Sequence, residues 1–184
     1  MRGETPGPDL VALAQRGDMD AIGALYDQHY EAVFRYLCSR AGDRQLAQDL
    51  TGDVFKRMLT GLPQYRQRGL PFRAWLFRIA HNLLTDHYRK ESGHVSVMLD
   101  ETERQGGGEA DPAAVVEQKL MFEQAYRALA ELGDLQRQVL TLRFLSGLSL
   151  REVALALGKT EDAVKALQRR GLAALRLSFP REEM

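Results

Sequence analysis

Ser149-Leu-Arg-Glu-Val-Ala-Leu-Ala-Leu-Gly158, followed by Lys159-Thr160-Glu-Asp-Ala-Val-Lys165, is the stretch that decides the fold. Ser149 and Glu152 have capping-box spacing: the hydroxyl accepts from the N3 amide while the carboxylate reaches back to the cap amide, so a helix starts at Leu150. Val153, Ala154 and Leu157 form its inner face. Gly158 supplies the left-handed residue that ends it, and Thr160 is placed to cap a second helix. Two short helices across so tight a turn make a helix-turn-helix, whose second helix normally enters a DNA major groove. On that second helix Lys165, Arg169 and Arg176 fall within about 40° of one another at 3.6 residues per turn, and Val164, Leu167, Gly171 and Leu175 take the other side. One face packs and the other offers cations to phosphates and base edges. Glu161 and Asp162 suit the dipole at the helix start. Asp162 repels phosphate there unless it accepts from a cytosine amino group. The alternative is an amphipathic helix in a protein-binding bundle.

Further back lies Pro71-Phe-Arg-Ala-Trp-Leu-Phe-Arg-Ile-Ala-His-Asn-Leu-Leu-Thr-Asp-His-Tyr-Arg-Lys90, which reads as a helix opened by Pro71. Phe72, Leu76, Ile79, Ala80 and Leu83 make a core stripe, and Phe77, Leu84 and Tyr88 make a second apolar face. A third face holds Trp75, Arg78, Asn82 and Arg89. Two guanidiniums, an amide and an indole suit single-stranded nucleic acid, where bases stack or flip out and the backbone is neutralised. The preceding loop adds Tyr65, Arg66 and Arg68. Spacing leaves open a plain solvated face with a half-buried Trp75.

The rest of the chain agrees with an all-α reading. Apolar residues make up 45% of the 184 positions and recur near 3.6, with no sustained alternation of period two. Helices are expected over about 9–16, 19–40, 44–61, 71–90, 113–132, 134–146, 149–156 and 160–177. Asp43 is placed to cap the third. Residues 91–112 are acidic and glycine-rich with little to bury, which reads as a flexible linker between two small helical domains, the second a helix-turn-helix. The formal net charge is zero, but the charges are segregated. Residues 56–90 hold eight Lys/Arg against Asp86 alone, 91–117 hold seven acids against Arg104, and 159–176 hold five bases against two acids. Two basic segments around an acidic one fit two contacts with a polyanion.

Several classes are expected to be excluded. No run approaches the roughly 18 apolar residues of a membrane span, and the first residues have no apolar stretch of a secretory signal. Only Ser178–Met184 follow the last helix, too few for a further domain. Cys38 is the single cysteine, so a reducing cytoplasm fits. His87 and Asp86 lie about 240° and 140° around the helix from His81, and His94 lies beyond it, so no metal set is expected. With no catalytic constellation and no cofactor motif, an enzyme is not expected.

Three blocks carry a family resemblance: Ala47-Gln-Asp-Leu-Thr-Gly-Asp-Val-Phe55, Phe72-Arg-Ala-Trp-Leu-Phe-Arg-Ile-Ala-His-Asn82 with Asp86 and Arg89, and Gly147–Gly158 with Val164-Lys165. The chain resembles bacterial RNA polymerase sigma factors of the extracytoplasmic-function (ECF) group of the sigma-70 family. The likeness implies an N-terminal segment at 1–17, region 2 at 18–90, a linker at 91–112 and region 4 at 113–184. It implies that Asp49, Asp53 and Phe55 dock on the clamp of core RNA polymerase, with the flap as a second polymerase contact. Tyr65, Arg66, Arg68, Trp75, Arg78, Asn82 and Arg89 would hold the melted −10 strand of promoter DNA, with Asn82 and loop 63–70 at a flipped base. Thr160, Asp162, Lys165, Arg169 and Arg176 would read the −35 duplex. An anti-sigma factor clasping both domains is also implied. Gly52, His81 and Leu132-Gly133 depart from the family's usual Gln, Arg and Leu-Pro. The rival reading is a helix-turn-helix regulator that binds duplex DNA without polymerase.

Overall fold

The structure, a computed structural model, describes residues 8–67, 69–91 and 127–178. The expected linker 91–112 apart from Glu91, which ends α4, and most of the expected helix 113–132 lie outside these residues, as does Arg68. Every regular element among them is helical. In order these are α1 (Pro8–Gln15), α2 (Met19–Ala41), α3 (Arg44–Gly61), a 3-10 turn (Leu62–Gln64), α4 (Phe72–Glu91), α5 (Asp134–Leu140), a π-helical turn (Thr141–Leu145), α6 (Leu150–Leu157) and α7 (Glu161–Ser178). No helix is long and apolar enough to cross a membrane among the described residues.

Local chemistry sets the boundaries. Asp18 and Asp43 accept the amides of Ala21 and Leu46 to cap α2 and α3. Pro71 precedes α4 rather than opening it, and its carbonyl accepts from Trp75. The expected helix 134–146 is α-helical only to Leu140. Its last turn widens to the π form, and Ser146 N–H donates to Thr141 O. Phe144, within that turn, is 57% exposed. Gly147 then turns with φ +67°, and Leu148 is fully buried.

α2, α3 and α4 pack on one another, with α1 laid across α2. Their core holds Leu25, Val33, Tyr36, Leu37, Val54, Met58, Phe72, Leu76 and Phe77. α5 and α6 pack on α7, and α6 also lies against α4. The apolar core therefore runs without a break from α2–α4 into Leu142, Leu148, Val153 and Val164. The two helical groups share one interior. A second, smaller cluster of Leu129, Leu132 and Leu140 lies under α7.

Candidate nucleic-acid interface

The helix-turn-helix forms as its capping box requires. Ser149 Oγ accepts from Glu152 N–H, and Glu152 Oε2 accepts from Ser149 N–H at 2.8 Å. Gly158 ends α6 at φ 63°, ψ 36°. Thr160 Oγ1 then accepts from Ala163 N–H, tying down the start of α7. Val164 and Leu167 are buried beneath that helix, while Lys165, Arg169 and Arg176 stand exposed along an open groove floored by Leu172 and Ala173. Lys165 Nζ lies 3.3 Å from Asp162 Oδ1, whose side chain is 92% exposed. A surface pair of this kind contributes little to stability, so the ammonium can exchange its carboxylate for a phosphate. The stripe expected from the sequence is present and faces solvent.

The α4 face is arranged differently. Asn82 and Arg89 are exposed, with Arg89 paired to Asp86 at 3.1 Å. Arg66 is also exposed and donates to the carbonyls of Pro63 and Tyr65. Trp75 is half-buried, 4.8 Å from the Tyr65 ring and 5.6 Å from Phe72. Arg78 is engaged: its Nε and Nη2 both donate to Leu155 O on α6.

Two residues expected on binding surfaces are corrected to the core. Tyr65 is 6% exposed, its hydroxyl donates to Leu70 O, and burial pushes its pKa up to about 12. It shapes the loop and presents no face to a base. Phe55 is 4% exposed, with Tyr26 at 4.6 Å and Tyr30 at 6.2 Å. It braces α3 from within, while Asp49 is exposed and Asp53 is half-exposed beside Lys56. Asp49 and Asp53, one turn apart on α3 above an aromatic underside, are two carboxylates that can meet a cationic protein partner.

Three arginines join the two helical groups. Arg73, 5% exposed, donates to Gly147 O at 3.2 Å and to Ser146 O. Burial lowers its pKa, and the Glu152 charge opposes that shift. Arg40, whose side chain is 3% exposed, meets Asp134 Oδ1 at 2.5 Å. Burial raises the Asp134 pKa, but the hydrogen bonds and charges of Arg40 and Arg137 together outweigh it and hold the carboxyl below its usual value. Arg78 is the third. Sequence reasoning did not single out Arg40 or Arg73, although Arg73 falls between two apolar arcs of α4, where a cation has no reason to be unless it meets an acceptor. Two histidines lie close by. His29 is pulled down to about 4 by burial and then by Arg73. His81 is also lowered, by burial first and Arg40 next. No group of three His, Cys, Asp or Glu side chains is placed to hold a metal ion among the described residues.

Comparison with known proteins decides the family. The description "Sigma-70 region 2" matches residues 25–94, and "Sigma-70, region 4" matches 128–177. The ECF RNA polymerase sigma factor SigD of Mycobacterium tuberculosis is 30% identical over 91% of this chain and 81% of its own length. The chain belongs to the ECF RNA polymerase sigma factors. The sigma factor is also 37% identical to the ECF sigma factor BldN of Streptomyces coelicolor over 94% of this chain, spanning 65% of that relative's length. Its fold matches CnrH, solved in complex with the cytosolic domain of CnrY, with a TM-score of 0.70 at 27% identity, covering 92% of this chain and 94% of that one. Membership makes it a promoter-specificity subunit acting with RNA polymerase, not a free-standing helix-turn-helix regulator.

Proposed function

We propose that residues 18–90 serve as region 2, 91–112 as the linker and 113–184 as region 4, and that each surface above has one task. The α3 carboxylates Asp49 and Asp53 dock on the polymerase clamp. Arg66, Trp75, Arg78, Asn82 and Arg89 hold the melted −10 strand, with Arg68 completing the loop. Lys165, Arg169 and Arg176 engage the −35 duplex, with Thr160 and Asp162 at the start of the reading helix. The observation that carries this reading is the exposed stripe on α7 together with a second, guanidinium- and amide-bearing face on α4 of the same chain. One surface suits paired bases and the other unpaired bases. The sigma factor performs no catalysis and acts in the cytoplasm with core polymerase. The likeness to CnrH, solved with the cytosolic domain of CnrY, supports a second protein partner of the anti-sigma kind.

Runoff transcription with purified core enzyme on a genomic fragment library tests the assignment. Discrete, sigma-dependent transcripts are expected. Asn82→Ala should keep core binding but lose opening of the −10 region, read by permanganate reactivity of unpaired thymines. A variant that opens promoters normally removes Asn82 from the strand-holding set.

A further inference from the structure

We propose that Gln168 and Leu172 together read a thymine in the −35 duplex, with Arg143 setting the Gln168 amide for it. The inference rests on the reading of α7 as the −35 helix and goes beyond its cation stripe. At 3.6 residues per turn Gln168 and Leu172 fall within about 60° of Lys165, so they share the face that carries Lys165, Arg169 and Arg176. Both are half-buried and line the open groove on that face. An uncharged amide and an apolar side chain among cations add nothing to phosphate neutralisation, but both can discriminate base edges.

Gln168 is held from outside its own helix. Arg143, in the π-helical turn, donates from Nη1 to Leu148 O and from Nε to Gln168 Oε1 at 3.2 Å. The anchored guanidinium takes the amide oxygen, and the Nε2 hydrogens meet no acceptor among the described residues. A glutamine with both ends free pairs bidentately with adenine, whose edge offers a donor and an acceptor. Held by its oxygen, Gln168 presents donors, which suit an acceptor on the base edge. Leu172, one turn further along and partly packed on the Leu129, Leu132 and Leu140 cluster, sets an apolar group beside that donor. In the major groove thymine alone places an acceptor, O4, next to a methyl group. Guanine offers acceptors without the methyl, and cytosine offers a donor.

The test uses holoenzyme assembled from the full chain and purified core polymerase, with a promoter recovered by runoff transcription whose −35 segment is randomised. Selection of bound duplexes should enrich thymine at one position by about tenfold over the other bases. Gln168→Ala should abolish that preference and leave the remaining positions of the element unchanged. Gln168→Glu, an acceptor that keeps a partner in Arg143, should exchange thymine for cytosine. Arg143→Leu, which frees the amide oxygen, should let adenine compete. Deoxyuridine in place of that thymine removes the methyl group, and should cost the wild type about fourfold in affinity but Leu172→Ala nothing. Far-ultraviolet circular dichroism checks that each variant is folded. An equal loss at every position overturns the proposal, because a residue that merely supports α7 affects all its contacts alike. So do a thymine preference that survives Gln168→Ala, an Arg143→Leu variant that still rejects adenine, and a methyl effect that outlasts Leu172→Ala. Enrichment of no upstream element at all is a separate failure, which removes α7 from the −35 duplex and the proposal with it.

Discussion

The α4 and α7 faces carry the same kinds of cationic side chain at helical spacing, yet they differ in what those cations do. On α7, Lys165, Arg169 and Arg176 sit exposed above a packed underside, and Lys165 pairs with the neighbouring Asp162. On α4, Arg73 and Arg78 are committed to carbonyls of another part of the chain. Charge and spacing say which side chains share a face. Whether that face is free depends on contacts made across more than seventy residues of sequence, such as Arg73 to Gly147. A cation stripe is therefore a statement about potential, and its availability is a tertiary property.

The sharpest way to break the contrast is to truncate one cation on each helix. Arg73→Ala should destabilise the protein by about 3 kcal/mol, because two charge-assisted hydrogen bonds and their packing are lost from a buried site. Arg169→Ala should stay within about 0.5 kcal/mol of wild type in the same denaturant melt. Equal losses would erase the distinction. Acid sharpens it next. His29 lies beside Arg73 with its pKa pulled down to about 4, so it stays neutral in the fold while the unfolded chain takes up a proton below pH 6.5. Stability should therefore fall as pH drops from 6.5 towards 4, by up to about 3 kcal/mol. His29→Gln should flatten that part of the curve in melts recorded across the range.

On the open face the effect should appear in binding rather than stability. Lys165→Ala is expected to weaken −35 duplex binding by the polymerase holoenzyme by about 1–3 kcal/mol if the ammonium reads a base, with a loss that depends on sequence. A uniform loss across sequences, with a shallower salt slope, would assign it to phosphate instead. The smallest expected change has the opposite sign. Gly52 sits in α3 with open space where a Cβ would stand. Gly52→Ala should raise stability by about 0.5–1 kcal/mol, read as a higher denaturant midpoint.

Most of the fold was legible because the signals are local. The Ser149/Glu152 box, the Gly158 stop and the Asp43 cap each act within a few residues and appear where the spacing put them. The π-turn at Thr141–Leu145 was not legible, since a helix that slips by one residue keeps its apolar pattern on either side. Among the site residues, Lys165, Arg169, Asn82 and Arg89 are exposed as their angular positions suggested. Tyr65 was misplaced because an aromatic beside arginines reads alike whether it faces a base or the edge of Phe72, and Phe55 because the family resemblance that put it on the clamp carries no information on its burial against Tyr26. Arg40 and Arg73 went unremarked because their acceptors lie in the other half of the chain.

Gln15 closes α1 by donating its side-chain amide to the carbonyls of Leu62 and Tyr65, at 2.9 and 2.7 Å. The loop that leads into α4 is thereby moored to the first helix, which packs on α2 and on the 3-10 turn. A protein shortened past that glutamine should dock on its enzyme and find the upstream duplex as before. Its fault would surface later, as a bubble that forms and will not stay open.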